Sequence, residues 1–283
     1  MKKTLRIALR VFIILFIVIN AAAAFFAYKL IHIPRKVNDL AMDSSFQTVH
    51  FTTKNDLKLE AWYIPVDSAK GTILMFHGHG GNKAGIIVES QEFRKMHYNT
   101  LLVDFRAHGG SEGSTCMIGY NEAEDVKLAY DWVKNKGEQN IVLWGISMGA
   151  ATISKAINDY SLEPKKVILE MPFGNILCAA EGRIRMMGIP AEPLASLIIF
   201  WGGVENGIWA YKMKPSEYVK KIECPVLVQW GKNDPRVTKG EIDDILENIH
   251  TQKKLVVYDS AAHESLCKKE PEKWRTEVSA FLQ

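Results

Sequence analysis

A serine between two glycines is the first residue whose type and spacing suggest covalent chemistry. Gly145-Ile146-Ser147-Met148-Gly149 follows an apolar segment at residues 141–144 and precedes a helix-prone segment that begins at Ala150. Glycines on both sides allow a strand to turn sharply into a helix, which exposes the serine hydroxyl beside the helix N-terminus. We therefore predict Ser147 as a nucleophile, with an ordinary glycine-rich turn as the alternative.

A serine hydroxyl needs a base within hydrogen-bond reach, and the base needs an acceptor that orients it. Asp234 follows the apolar segment 225–230, and His263 follows the apolar segment 254–258. Both residues are therefore expected at the ends of late strands. We predict His263 as the catalytic base and Asp234 as its acid partner. Glu170, at the end of another predicted strand, and Asp259, four residues before His263, are the rival acids.

The oxyanion of an acyl-transfer intermediate needs two preorganised N–H donors. We predict the backbone N–H of Met148 as one donor, and the N–H of His79 in the glycine-rich loop 77–82 as the other. His77, His79 and His108 could alternatively form a metal cluster. No acidic ligand motif accompanies these histidines, so we expect neither a metal nor another cofactor.

Short apolar segments alternate with helical patterns along the rest of the chain, which predicts an α/β fold with a mostly parallel sheet of about eight strands. The predicted strands are residues 46–53, 57–64, 72–76, 100–105, 141–144, 166–169, 225–230 and 254–258, and the predicted helices are residues 83–97, 120–136, 148–159, 239–248 and 272–281. The first two strands suggest an antiparallel hairpin. Residues 172–215 are apolar and lack a strand pattern, which predicts a helical cap inserted in the domain.

The N-terminus carries a separate signal. Residues 11–28 are apolar except for Asn20 and would span roughly 27 Å as a helix, close to the thickness of a bilayer core. Four basic residues precede this segment, which favours a cytoplasmic N-terminus and an extracytoplasmic catalytic domain. We expect residues 1–36 to be an uncleaved membrane anchor and residues 37–283 to be the working domain. A signal peptide cleaved near the small residues 21–24, giving a secreted protein, is the alternative.

Charge and cysteine content narrow the function classes. The 283 residues carry a net charge of +3, but residues 1–36 hold seven of the 35 Lys and Arg and no Asp or Glu. The working domain therefore has a net charge of −4, which argues against a nucleic-acid partner. Cys116, Cys178, Cys224 and Cys267 are widely spaced and form no CxxC pair. Free thiols are favoured over the one or two disulfides that an extracytoplasmic domain would permit.

These motifs together resemble the α/β-hydrolase-fold serine hydrolases. The resemblance is strongest to membrane-anchored α/β-hydrolase-domain proteins and to serine-aminopeptidase-like hydrolases related to monoglyceride lipase. It rests on the loop 77–82, the segment 104–113, the elbow at Ser147, the segment 231–235 and His263, in the order Ser, Asp, His. The resemblance implies the fold and the triad but not the substrate, because this fold hosts many hydrolases.

The sequence therefore predicts a carboxylesterase- or lipase-like enzyme that acts on a lipid-like or other acyl ester through an acyl-enzyme. Two alternatives stay open. A peptidase or aminopeptidase of the same fold would need an acidic residue to bind the substrate amine, and Glu181, Glu192 and Glu205 in the cap are candidates. A catalytically silent, membrane-tethered binding module is the other alternative. The acyl chain length, the leaving group and the oligomeric state are not specified by these patterns.

Overall fold

The computed structural model describes residues 2–37 and 46–283 and centres on one eight-stranded sheet. Its strands are β1 (Gln47–Thr52), β2 (Lys58–Ile64), β3 (Thr72–Phe76), β4 (Asn99–Val103), β5 (Ile141–Ile146), β6 (Lys166–Glu170), β7 (Val226–Gly231) and β8 (Lys253–Tyr258). Their order in the sheet is β1-β2-β4-β3-β5-β6-β7-β8. Strand β2 runs antiparallel to both neighbours, whereas β4, β3 and β5–β8 are parallel. The predicted sheet, including the leading hairpin, is confirmed.

Helices cover the sheet and fill the connections between its strands. They are α1 (Lys2–Ile31), α2 (Ile87–Lys95), α3 (Ala123–Asn135), α4 (Met148–Tyr160), α5 (Ile176–Arg185), α6 (Leu194–Asn206), α7 (Pro215–Tyr218), α8 (Lys239–Asn248), α9 (Leu266–Lys269) and α10 (Pro271–Leu282). All five residues of β3 are buried, as expected for a central strand that is covered on both faces. Because β3 to β8 run parallel, their carboxyl ends lie at one edge of the sheet. The chain leaves β5, β7 and β8 at this edge.

Several predicted boundaries were wrong by two residues or more, and two of the affected elements show a local cause. The predicted helix 83–97 is instead a 3-10 turn, Lys83–Ile86, followed by α2. Asn82 accepts a hydrogen bond from Gly85 N, and His97 has a positive φ of 64° that ends the helical stretch. The predicted strand 100–105 ends two residues earlier, because Phe105 N donates to the His77 ring instead of continuing the ladder.

The connection between β6 and β7 is long and mostly helical. It contains α5 and α6, which lie within the predicted cap at residues 172–215, and α7, which extends beyond that range. The first part, α5, begins at an Asn175 cap that accepts from Cys178 N. The segment leaves β6 at the carboxyl edge of the sheet, and residues of α5 and α6 line the same pocket as Ser147. Helices α5 and α6 therefore cover the edge that carries Ser147.

Helix α1 is the single helix in the described part of the chain that is long and apolar enough to cross a membrane. Most of its side chains are exposed, but Ala23, Ala27 and Ile31 form a buried stripe at four-residue spacing. This stripe packs on α6, where a Cβ built on Gly202 would lie 3.3 Å from Ile31 Cδ1 and 3.8 Å from Ala27 Cβ. Small residues thus bring the two helices into close contact, as is common between helices in lipid. Residues 38–45, the start of the predicted working domain, lie outside the described residues.

Candidate active site

The turn between β5 and α4 holds Ser147 in an uncommon backbone conformation. Ser147 has φ 54° and ψ −114°, and its N–H donates to Glu170 O at 2.8 Å. A Cβ on Gly145 would lie 2.6 Å from Gly149 C, and a Cβ on Gly149 would lie 2.2 Å from Phe76 O. Both glycines are thus required by backbone contacts. The strained turn directs Ser147 toward the cavity above the sheet.

Ser147, His263 and Asp234 form a continuous hydrogen-bonded chain. His263 Nε2 lies 2.9 Å from Ser147 Oγ, and His263 Nδ1 lies 2.7 Å from Asp234 Oδ2. The Asp234 side chain is fully buried, and its second oxygen accepts from Arg236 N at 2.8 Å and Val237 N at 3.0 Å. Since a carboxylate only accepts, Nδ1 must donate to it, which leaves Nε2 free to accept the serine proton.

The rival acids have other contacts. Glu170 Oε1 accepts from Trp144 Nε1, Trp274 Nε1 and Gln229 Nε2 at 2.7–3.2 Å, and none of these contacts involves His263. Burial, with the nearby charge of Glu89 adding to it, raises the Glu170 pKa to about 8, whereas the tryptophan hydrogen bonds lower it. Asp259 is 70% exposed and pairs with Lys232. The structure therefore brings Asp234, and neither rival, to the histidine.

The two predicted oxyanion donors lie in the same pocket as Ser147. Among the residues that the structure describes, neither Met148 N nor His79 N donates a hydrogen bond. The glycine next to His79 keeps the loop close, because a Cβ on Gly78 would lie 3.5 Å from Ser147 Cβ. In this position, the two N–H groups could donate hydrogen bonds to a substrate oxygen on which negative charge develops.

The three histidines of this region bind backbone groups. His77 Nε2 accepts from Phe105 N, and His108 Nε2 accepts from Gly80 N. Burial lowers the pKa of all three rings, and that of His79 falls to about 3. Neighbouring positive charge adds to the effect of burial at His77 and His79, whereas nearby carboxylates oppose it at His108. His77 and His108 are thus neutral rings that hold the glycine-rich loop. Within residues 2–37 and 46–283, no cluster of His, Cys, Asp and Glu has the geometry of a metal site.

His79 connects this loop to helix α1. Its neutral Nε2 donates to Leu30 O at 2.8 Å, and Cys116 N donates to Ile31 O at 2.8 Å. Farther along α1, Asn20 Oδ1 accepts from Trp201 Nε1 of α6 at 3.1 Å. The carboxyl end of the apolar helix is therefore attached directly to the loop that carries a predicted oxyanion donor.

The pocket above Ser147 is mainly apolar and encloses about 900 Å³, including its open mouth. Its walls come from three parts of the chain: Ala27, Leu30 and Ile31 of α1; cap residues, including Phe173, Ile176, Ile198, Ile199 and Met213; and the catalytic loops. Two arginines, Arg183 of α5 and Arg236 after β7, also line it. The sequence patterns did not predict the α1 wall or these arginines. The four-residue spacing of Ala23, Ala27 and Ile31 was the one available signal for a packed face.

The three acidic cap residues considered for an aminopeptidase lie outside the pocket lining. Glu181 is 3.5 Å from Arg185, Glu192 accepts from Ser196 Oγ, and Glu205 is 3.4 Å from His32 Nδ1. The charged groups that do reach the pocket are basic. All four cysteines are free thiols, and Cys116 Sγ contacts Met148 Sδ at 3.5 Å.

Comparisons with known proteins support the fold. Residues 67–198 match the serine aminopeptidase S33 family model, and residues 177–280 match the dienelactone hydrolase family model. An uncharacterised protein, YqkD of Bacillus subtilis, is 25% identical over 79% of this chain and 75% of its own length. Lysophosphatidylserine lipase ABHD12 of Xenopus tropicalis is 26% identical over 62% of this chain, but this chain spans only 46% of that protein.

Among solved structures, the Pyrococcus furiosus esterase PF2001 superposes with a TM-score of 0.75 at 25% identity, covering 90% of this chain and 98% of the esterase. The eight-stranded sheet and these similarities confirm the predicted α/β-hydrolase fold.

Proposed function

We propose that this α/β-hydrolase-fold hydrolase is a membrane-anchored serine esterase that cleaves carboxylic esters with an apolar acyl group. One observation carries the proposal. The hydrogen-bonded chain from Ser147 through His263 to Asp234 lies beside a mainly apolar pocket. Such a chain provides a nucleophile, a base and an orienting carboxylate in the arrangement that acyl transfer needs.

In the proposed reaction, Ser147 Oγ attacks the ester carbonyl while His263 Nε2 takes the hydroxyl proton. The N–H groups of Met148 and His79 stabilise the oxyanion, and Asp234 stabilises the imidazolium. His263 then gives the proton to the departing alkoxide, and the ester C–O bond breaks to leave an acyl-enzyme. A water molecule, deprotonated by the same histidine, attacks the acyl group and releases the carboxylic acid and free Ser147.

The charges in the pocket favour esters over aminoacyl substrates. An aminopeptidase site must bind a substrate ammonium group, and an acidic side chain is the usual partner of that group. Here the pocket contains Arg183 and Arg236, and the acidic residues of the cap point to other partners. Two positive charges would repel an amine, whereas the apolar walls suit an acyl chain.

Helix α1 supports a function at the membrane. The exposed face of α1 is apolar, and the cap beside it exposes Met186, Met187, Phe200 and Trp209. We place α1 across the bilayer with its N-terminus in the cytoplasm, so that the catalytic domain lies on the opposite side. Signal cleavage near residues 21–24 would cut through the contact between α1 and α6, which favours the uncleaved anchor.

A substrate panel tests the proposal. The full chain in neutral detergent is assayed on p-nitrophenyl esters of increasing acyl length and on aminoacyl p-nitroanilides, beside Ser147→Ala. We expect ester turnover that Ser147→Ala abolishes, with little anilide turnover. Preferred cleavage of the anilides would support the peptidase alternative. A folded protein that turns over neither class would support the silent binding module.

A further inference from the structure

Two arginines line the pocket, one in α5 and one after β7. Neither Arg183 nor Arg236 lies within 4.0 Å of a carboxylate in the part of the chain that the structure describes. Among the residues that the structure describes, the hydrogen-bond partner of the Arg236 guanidinium is a thioether, Met186 Sδ, at 3.2 Å from Nε. By contrast, Arg106, the other largely buried arginine near the site, is paired with Asp125 and Glu124.

The positions of both arginines are fixed by the backbone around them. Gly182, which precedes Arg183, packs so closely that a Cβ there would lie 2.3 Å from Arg236 O. Arg236 N also donates to Asp234 Oδ1, so the segment that carries this arginine is the segment that holds the triad carboxylate. Arg183 of α5 and Arg236 of the loop after β7 therefore both line the cavity that contains Ser147.

The charge of Arg183 is costly in this mainly apolar cavity. Burial lowers the pKa of Arg183, and the nearby positive charge of Arg236 lowers it further. The charge of Arg183 also reaches the glycine-rich loop, because it helps to lower the pKa of His79. A bound anion would offset this cost, since a guanidinium pairs with carboxylate or phosphate oxygens through two parallel hydrogen bonds.

We propose that Arg183 and Arg236 form a subsite for an anionic oxygen group, a carboxylate or a phosphate, carried by the ester substrate. This inference rests on the proposed esterase function and specifies its substrate class. The apolar walls hold the acyl chain, and the arginines hold the anionic end of the same molecule. The preferred substrates are therefore amphiphilic esters with a negative charge rather than neutral glycerides.

Two matched ester pairs test the subsite in the full chain. A monoacylglycerol and the monoacylglycerol phosphate with the same acyl chain place the charge on the leaving group. The methyl ester and the free acid of mono-p-nitrophenyl adipate place it on the acyl side. We expect kcat/KM to be higher for the charged member of at least one pair, by about tenfold or more. Equal or lower kcat/KM for both charged members would overturn the proposal.

The matched variants are Arg183→Met and Arg185→Met. Both residues lie on α5, but Arg185 is exposed, lies outside the pocket and pairs with Glu181. Arg183→Met should lower kcat/KM for the preferred charged ester about 10- to 100-fold and leave the neutral partner nearly unchanged. Arg185→Met should change neither. Equal losses on both members of the pair with Arg183→Met would contradict an anion subsite.

A binding measurement separates this inference from the esterase proposal. In Ser147→Ala, dodecyl phosphate should raise the thermal unfolding midpoint more than dodecanol does, and adding Arg183→Met should remove that difference. Stabilisation by the phosphate without any ester turnover would refute the esterase while supporting the subsite. Turnover of neutral esters, with no preference for dodecyl phosphate, would refute the subsite while leaving the esterase intact.

Discussion

Asp234→Asn is the change whose effect follows most directly from the geometry of the site. Asp234 Oδ1 accepts from two backbone N–H groups, those of Arg236 and Val237, and Oδ2 faces His263 Nδ1. An asparagine amide must keep its oxygen toward the two N–H donors and turn its NH₂ group toward the histidine. Nδ1 then has to accept, so the proton moves to Nε2 and His263 can no longer accept the Ser147 proton.

The expected loss of activity is large because asparagine holds His263 in the wrong tautomer. The packing of the side chain is preserved. Holding the histidine in the wrong tautomer lowers kcat of a serine hydrolase by about 10⁴-fold. This factor corresponds to about 5 kcal/mol of transition-state stabilisation. The assay is kcat/KM on a p-nitrophenyl ester, with the thermal unfolding midpoint measured in parallel. The midpoint should change little, because Asn has the same shape and preserves the backbone contacts.

Asp259→Asn and Glu170→Gln are the matched controls, because each removes one of the rival carboxylates. Asp259 is exposed, and Glu170 contacts indoles and an amide rather than His263. Both variants should retain activity within a few-fold of the wild type at pH 7. If Asp234→Asn lost less than about tenfold, or no more than Asp259→Asn, the assignment of the acid and the tautomer argument would both be refuted.

Three further predictions concern the pocket, the buried acid and the link to α1. Ala27→Leu should narrow the pocket and lower kcat/KM for the dodecanoyl relative to the butanoyl p-nitrophenyl ester. The expected decrease is about tenfold, which corresponds to the contact energy of roughly two methylenes. Ala21→Leu, on the exposed face of α1, should leave that ratio unchanged. Glu170 has a folded pKa of about 8, above its ordinary value of 4.5, so the folded state binds the extra proton and stability should fall as pH rises between these values. Thermal unfolding of Glu170→Gln should show a smaller decrease from pH 5 to 9 than the wild type. His79→Ala keeps the backbone N–H but loses the hydrogen bond to Leu30 O, so we expect kcat/KM to fall by only about 3- to 10-fold, measured on the same ester.

Each of these predictions has a clear contrary result. If Ala27→Leu and Ala21→Leu had the same ratio of kcat/KM for the dodecanoyl and butanoyl esters, α1 would not form a wall of the acyl pocket. Parallel pH curves for wild type and Glu170→Gln would mean that Glu170 is ionised in the fold. A loss of 10³-fold with His79→Ala would mean that the ring itself takes part in the chemistry, since loss of a single positioning hydrogen bond costs much less.

The parts of the site that depend on local sequence could be predicted. Close backbone contacts restrict two elbow positions to glycine, so the pattern around Ser147 marks the turn without knowledge of the rest of the fold. The parallel strands place Asp234 and His263 at the same edge, because each follows a strand in the β5–β8 part of the sheet. The sequence also favoured Asp234 over Glu170 as the acid, although both residues stand at the end of a strand, and the hydrogen bond between Asp234 and His263 agrees with that choice.

The parts that depend on packing between distant segments could not be predicted. The apolar composition of α1 does not indicate whether the helix stands alone or packs on α6. The sequence therefore could not predict that Ala27 and Leu30 line the pocket. The position of Arg183 in the pocket was also not predictable, because a basic residue in an apolar segment normally marks an exposed position. The charged groups that surround Arg183 depend on how α5 packs against the segment that contains Arg236.

The central claim is that Ser147 is a nucleophile activated by His263 and Asp234, and covalent labelling tests it most directly. The full chain is treated with a fluorophosphonate probe beside Ser147→Ala and Ser154→Ala, the latter a buried serine of α4 that donates to Ala150 O. We expect a single adduct on the peptide that contains Ser147 in the wild type and in Ser154→Ala, and none in Ser147→Ala. Equal labelling of wild type and Ser147→Ala, or no labelling of the folded wild type, would contradict it.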